Sequence, residues 1–529
     1  MSRLTDAIAN YLHDSNKEIV HDSGNWYTAQ QVHQDVQRLC STMAASGVKQ
    51  GERILVEYPN SYSFLITYLA ILSYGAIAVP VNPSMPVAER QGFIERSNVR
   101  VGFMTVQKWN LLFGIPDHDD AAHAAVKLNT VFVSNADSER PHTVFTNNNG
   151  RWESSIVRSS ENENLTIPVP DEDDVGVLLF TSGTTGAPKA VGLKHRHLFA
   201  AAQNVASAHE LSSADTSYCV LPLFHINAQV VVLLSTCLSR GRLVLAEKFS
   251  AREFWPTIET HNISWVSVVP TIITILLNTP GPQTAPQGLR FVRSASAQLS
   301  VLHGRRFEQL FGIPVVQSYG MTEAASQICV NPLQQDKRKL GSVGLPVGVE
   351  LQIVDDRGVP LAPQQTGNIL IRGENVIDGY EETSNLNDFV DGWFNTGDVG
   401  YMDTEGYVFL TGRKKEIINR AGEKISPYEV EDVIRRHFDV SDAAVVGLPD
   451  ALYGERVVAF AVLKDRLVPQ DKVIEEIFEL CRRTIAAFKC PSEIRIVDAL
   501  PIGATGKVQR QALKTGAIHS HHEAQAFQM

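Results

Sequence analysis

The residues best suited to chemistry are Thr181, Ser182, Gly183, Thr184, Thr185 and Gly186, followed by Lys189. Each of the positions from Thr181 to Gly186 carries a hydroxyl or no side chain at all. Gly183 and Gly186 allow backbone angles that side chains forbid, and let amide N–H groups approach a ligand closely. The hydroxyls add donors, and Lys189 adds a positive charge. Donors and a cation on one turn suit a polyphosphate. The order Gly-x-x-x-x-Gly-Lys-Ser/Thr is absent and Pro188 disfavours a helical Ala187, so this is not a Walker A loop.

Downstream, Tyr319-Gly320-Met321-Thr322-Glu323 lies just past an apolar run that reads as a buried strand. Ligand sites of parallel sheets lie beyond the carboxyl ends of strands. Glu323 could hold a Mg²⁺ ion against phosphate oxygens, and Tyr319 could stack on a base. Taken alone, a glutamate opening a helix is more often just a favourable partner for the helix dipole. In Trp393-Phe394-Asn395-Thr396-Gly397-Asp398, an aspartate after a tight glycine turn could accept both hydroxyls of a ribose. Gly412-Arg413-Lys414-Lys415-Glu416 reads either as a solvated basic stretch or as a flexible junction whose Arg413 meets a nucleotide. Lys507 stands in a glycine-flanked stretch near the C-terminus, where a lysine is by itself no more than a solvated charge.

The combination says more than its parts. Thr-Ser-Gly-Thr-Thr-Gly-x-Pro-Lys, Tyr-Gly-x-Thr-Glu, Thr-Gly-Asp, Gly-Arg-x-Lys-Glu and Pro-x-x-x-x-Gly-Lys occur in that order between Thr181 and Lys507. The series resembles the adenylate-forming superfamily: acyl-CoA synthetases, non-ribosomal peptide adenylation domains and beetle luciferases. That resemblance implies ATP, Mg²⁺ and a carboxylic acid as reactants, with coenzyme A as co-substrate. It implies a pyrophosphate cradle at Thr181, Ser182, Gly183, Thr184, Thr185, Gly186 and Lys189. Thr322 would contact phosphate and Glu323 the metal. Asp398 and Arg413 would contact ribose, and Tyr319 adenine. Lys507 would be the catalytic lysine and Lys415 the hinge.

The segment Pro222-Leu223-Phe224-His225-Ile226-Asn227 matches the one in which a family histidine gates the acyl pocket, here His225. The segment from Phe291 to Leu299 matches the lining of the acyl and adenine pockets, and puts Ser294, Ser296 and Ala297 there. Gly320 and Ser326 complete the expected acyl site. The Arg-Ser-x-Ser-Ala form of Arg293 to Ala297 resembles the oxalyl-CoA synthetase-like branch of plants and yeast. Asn227 and Ser326 stand where that branch is expected to carry histidines serving a second carboxylate. The expected substrate is therefore a small or medium carboxylic acid. A free-standing enzyme loading a carrier-protein thiol is the alternative. No aspartate follows Phe224-His225 to hold an α-ammonium, which speaks against that alternative. A non-catalytic descendant would be expected to lose Lys507, Glu323 or Asp398, and all three are present.

These residues need a scaffold. Helical spacing at 29–46 and 62–74, with strand signals at 51–57 and 76–81, gives a β-α-β rhythm and a helix-covered parallel sheet. The polar stretch 135–170 reads as a surface excursion. Helices at 197–209 and 229–240 alternate with strands at 218–221, 242–245, 265–269, 291–294 and 315–318. Short strands with Gly and Asp turns after 340 suggest a small β subdomain. Beyond 411 come a helix at 427–436, strands at 442–448 and 456–463, and a helix at 470–488. The expected class is α/β: a large N-terminal domain over 1–411 and a small mobile α+β domain over 412–529.

The bulk properties agree. The chain has 529 residues, 44% hydrophobic and 20% charged, as in ordinary soluble globular proteins. A net charge of −11 argues against nucleic acid and anionic membranes as partners. The six cysteines are scattered without metal-site spacing, which suits a reducing cytoplasm. The start lacks an apolar signal region, the end is not of the Ser-Lys-Leu type, and no apolar run reaches the roughly 20 residues of a membrane span.

Overall fold

The computed structural model describes residues 1–13, 16–113, 128–134, 143–148, 151–156, 167–181, 189–381, 388–465, 467–503 and 508–517. Among them lie four sheets. The eight-stranded sheet is centred on Arg53–Glu57, with parallel neighbours Ile77–Pro80 and Val101–Thr105. The nine-stranded sheet is centred on Trp265–Val268, Thr216–Cys219 and Phe291–Ser294, all parallel. Helix Tyr62–Tyr74 belongs to the core that joins these sheets. Nearly every side chain in it is apolar, so it has no face fit for water and is buried all round. Ser61 caps its start by accepting the Phe64 N–H at 3.3 Å. Gly75, at φ +76°, ends it in the left-handed conformation.

A five-stranded antiparallel sheet holds Val349–Val354, Gly367–Gly373, Trp393–Met402, Phe389–Val390 and Val408–Arg413. The fourth sheet, from Ile418–Arg420 to Glu493–Ile496, has its own apolar core with helices Pro427–Ile434 and Gln470–Thr484. This is the α/β architecture expected, with a large N-terminal part, a β subdomain and a small C-terminal α+β part. No helix of the described residues is long and apolar enough to cross a membrane.

Four expectations need correction. The polar stretch 135–170 is not only an excursion: Thr143–Asn148 and Arg151–Ile156 form a hairpin that extends the eight-stranded sheet at its edge. The segment expected to be an α-helix at 229–240 is a π-helix over Asn227–Leu234, followed by a short α-helix, Ser235–Ser239. An apolar run this continuous has no polar face to reveal its period. Tyr319, Gly320 and Met321 lie inside the strand Val315–Met321 rather than past it, and Glu323 sits on a single 3₁₀ turn, Thr322–Ala324. Asp398 lies within the strand Trp393–Met402, although Gly397 beside it has φ +71°.

Candidate active site

Strands Val175–Thr181 and Lys189–Lys194 pair antiparallel, with Thr181 opposite Lys189. Ser182, Gly183, Thr184, Thr185 and Gly186 lie outside the described residues, between these two anchors. Lys189 pairs with Asp388 and stands 4.5 Å from the centre of the Tyr380 ring. The Tyr380 hydroxyl donates to Glu323 Oε1 at 3.1 Å. One chain of contacts therefore runs from the foot of the hydroxyl-rich loop to Glu323. Tyr380 and Asp388 carry no spacing signal that would have singled them out in the sequence.

Glu323 is positioned by a change of strand direction. Val315–Met321 runs parallel to Phe291–Ser294 at its start and antiparallel to Ser326–Val330 at its end. The return between them is so close that a Cβ on Gly320 would lie 1.4 Å from the Ser326 carbonyl oxygen. Ala325 and Ser326 adopt positive φ, +46° and +101°, to complete it. The buried Glu323 carboxyl is held above the usual carboxylate range by desolvation, against the pull of the Tyr380 hydrogen bond and the Arg413 and Lys189 charges. A bound cation would relieve that desolvation, so the residue fits a metal that also touches phosphate.

Asp398 and Arg413 face each other across paired strands. Arg413 Nε lies 3.2 Å from Asp398 Oδ1, and the Tyr319 hydroxyl donates to Oδ2 at 2.5 Å. Asp398 attracts the guanidinium and raises its already high pKa. Tyr319 is 7% exposed, with its ring in the core of the β subdomain. Its hydroxyl thus serves Asp398, a link that no sequence spacing announces. A carboxylate with two such partners keeps lone pairs for two more donors, which suits a diol.

The third group gathers at the C-terminal ends of the nine-stranded sheet. Asn60 fixes the approach to His225 by donating to the Leu221 carbonyl at 2.8 Å and accepting the Leu223 N–H at 2.7 Å. Gln229 adds a bond to the Leu223 carbonyl at 2.9 Å. The His225 ring lies 4.3 Å from that of Phe224. Asn227, at the head of the π-helix, accepts from Ser267 at 3.0 Å and donates to Ser296 Oγ at 3.4 Å. Ser296 is held at φ +71°, directly before Ala297. Ser294 and Ser326 are buried, and Ser294 Oγ has no hydrogen-bond partner among the described residues.

Lys507 lies outside the described residues. Ile502 and Val508, on either side of it, form an antiparallel bridge. Arg510 is half-buried, donates to Glu416 Oε2 and the Val445 carbonyl, both at 3.1 Å, and pairs with Glu431. Glu416 directly follows Lys415, so one arginine ties the segment after Lys507 to the segment after Lys415. The arrangement brings the charges of Lys189 and Arg413 to bear on the desolvated Glu323 carboxyl and sets the Asp398 carboxylate against Arg413. Those groups can hold a nucleotide and stabilise charge developing on transferred phosphate.

Comparison with known proteins agrees with this chemistry. The oxalate–CoA ligase of Arabidopsis thaliana is 36% identical over 492 residues, covering 92% of each chain. The sulfoacetate–CoA ligase of Cupriavidus necator is 35% identical over 495 residues, covering 93% of each. The crystal structure of ATP-bound MatB from Rhodopseudomonas palustris superposes with a TM-score of 0.85 at 26% identity, covering 98% of this chain and 99% of that one. The AMP-binding enzyme profile matches residues 9–381, and the profile of its C-terminal domain matches residues 429–507. With both profiles matched in order over most of its length, the chain belongs to the AMP-binding enzyme family.

Proposed function

We propose that the chain is an AMP-forming acid–thiol ligase that converts a small carboxylic acid to its coenzyme A thioester. The convergence of Lys189, Tyr380 and Glu323 beside the Tyr319–Asp398–Arg413 group carries the reading. In the first half-reaction a carboxylate oxygen attacks the α-phosphorus of ATP, the bond to the β-phosphate bridge breaks, and pyrophosphate leaves. In the second, the thiol sulfur attacks the acyl carbon, the acyl–oxygen bond breaks and AMP leaves. The names of the relatives, all CoA ligases, favour coenzyme A over a carrier protein as acceptor.

Thr181, residues 182–186 and Lys189 receive the leaving pyrophosphate, with Thr322 beside them. Asp398 and Arg413 hold the ribose, and Tyr319 fixes Asp398 while bordering the adenine with Ser296 and Ala297. Glu323 would hold Mg²⁺, which neutralises phosphate charge when bound. His225, Asn227, Ser294, Gly320 and Ser326 border the acid. Lys507 stabilises charge developing between carboxylate and phosphate. The boundary falls at 411/412, and rotation at Lys415 withdraws Lys507 and admits the thiol. Oxalate and sulfoacetate in the relatives' names support a short acid here too. The six cysteines are all free thiols, which supports a reducing cytoplasmic setting.

Pyrophosphate release and thioester formation across a panel of short acids test the reading. Pyrophosphate exchange without a coenzyme A thioester at any acid would hand the function to a carrier-protein acceptor. Lys507→Ala is expected to abolish adenylation while supplied acyl-AMP still yields thioester; equal loss of both halves would refute its role.

A further inference from the structure

Arg293 is a buried cation without a counter-charge among the described residues. It is 1% exposed, and among the described residues no carboxylate lies within ion-pair distance of it. Burial pulls its guanidinium down to about 9, so it still carries its charge at neutral pH. A buried charge without a counter-charge is costly, and a second ion nearby repays that cost.

Its hydrogen bonds have a fixed direction. A guanidinium only donates. Arg293 lies directly opposite Ser267 on the neighbouring strand, and its Nη1 donates to Ser267 Oγ at 3.2 Å. Ser267 must therefore pass its own proton onward, to Asn227 Oδ1 at 3.0 Å. The Asn227 amide nitrogen then donates to Ser296 Oγ at 3.4 Å. The Ser296 hydroxyl, having accepted, has its proton left to give. On the other side Arg293 Nη2 donates to Gln327 Oε1 at 3.4 Å. That leaves Gln327 Nε2, a buried donor with no acceptor among the described residues. Each branch starts at a cation and ends in a donor. The first ends at Asn227 and Ser296, where the acid is expected to lie.

We propose that Arg293 is a positioning residue that sets acid specificity: through Ser267 and Asn227 it makes the acyl site a donor-lined one that selects short acids carrying a second anionic oxo group, a carboxylate or sulfonate, away from the reacting carboxylate. This rests on the ligase reading for the location of the acyl site. It assigns to a buried arginine the charge that Asn227 and Ser326 do not carry.

The test uses the full chain and matched acids: oxalate against acetate, malonate against propionate, succinate against butyrate, glutarate against pentanoate, with sulfoacetate added. Binding is read by calorimetry with a non-hydrolysable ATP analogue and magnesium, and turnover by thioester formation. At least one dianionic acid is expected to bind about tenfold or more tightly than its monoanionic partner. Ser267→Ala, which cuts the relay and leaves Arg293 in place, is expected to reduce that preference about tenfold, through KM for the dianion rather than kcat. Ser267→Thr is expected to restore it. Arg293→Gln reads the charge itself; where it fails to fold, the Ser267 pair decides. Equal binding of both members of every pair, or a preference untouched by Ser267→Ala, overturns the proposal. A dianion preference lost in Ser267→Ala without thioester from any acid upholds the proposal and overturns the ligase reading instead.

Discussion

Replacing Asp398 by asparagine keeps the shape of the side chain and removes its charge and half of its acceptors. The carboxylate offers about four lone-pair sites, and the Tyr319 hydroxyl at 2.5 Å and Arg413 Nε at 3.2 Å take one each. The two that remain match two ribose hydroxyls. The amide oxygen of asparagine has two lone pairs in all, and its nitrogen accepts nothing. On the proposed ribose contact, Asp398→Asn removes at least one hydrogen bond between ribose and a charged acceptor. Such a bond contributes about 1.5–3 kcal/mol, which is a roughly 10- to 150-fold loss of ATP affinity. Calorimetric binding of ATP and of 2′,3′-dideoxy-ATP to both proteins closes a cycle that isolates the contact. ATP is expected to weaken by that factor and the dideoxy nucleotide by much less. Equal weakening of both would refute the ribose contact and leave Asp398 as a support for Tyr319 alone.

Further outcomes follow from other contacts. Arg90 Nε lies 2.9 Å from Glu57 Oε1, with both side chains at or below 1% exposure. Arg90→Met strands the carboxylate and is expected to cost about 3–5 kcal/mol in chemical denaturation. Burial raises Glu57 to about 7, so its own contribution to stability is full below its unfolded value and is lost as pH rises through 7. The Arg90→Met deficit should accordingly be larger at pH 8 than at pH 5; a deficit independent of pH would count against an ionised pair. Gly320→Ala places a methyl on the Ser326 carbonyl and is expected to cost about 3 kcal/mol together with nucleotide binding, read by melting with and without ATP. Arg510→Ala unties Glu416 from Glu431 and is expected to speed amide exchange in Val440–Asp450 while exchange in Val101–Thr105 stays unchanged.

Several members of the candidate nucleotide site were legible because the proposed chemistry dictates residue types. Asp398, Arg413, Glu323 and Lys189 stand out in the sequence, and the fold brings Asp398 against Arg413 and links Lys189 to Glu323 through Tyr380. Helix Tyr62–Tyr74 was legible to the residue, since an apolar run between Ser61 and Gly75 states both its ends. Tyr380 was not, because it meets Glu323 across 57 residues of chain and follows no periodic pattern. Ser267 and Gln327 were invisible for a related reason: Ser267 meets Arg293 from the neighbouring strand and Gln327 from the strand beyond Val315–Met321, and strand order is a property of the sheet. The strand Thr143–Asn148 looked like loop because only Val144 in it is fully buried, and Phe145 packs on Trp109, which is distant in sequence.

The bond from Tyr319 to Asp398 joins the nine-stranded sheet to the β subdomain, whose strands come later in the chain. For recombination this makes the two residues a single heritable unit. A hybrid whose crossover falls between 331 and 388 would take the tyrosine from one parent and its aspartate from the other. Each is placed by the register of its own sheet, so a small difference between parents in how the sheets meet would separate a donor and acceptor now 2.5 Å apart. Crossovers before Val315 or after Arg413 keep the pair from one source. The residues proposed to set acid preference, Asn227, Ser267 and Arg293, all lie before Val315, so that segment can be exchanged between relatives without parting the tyrosine from its aspartate.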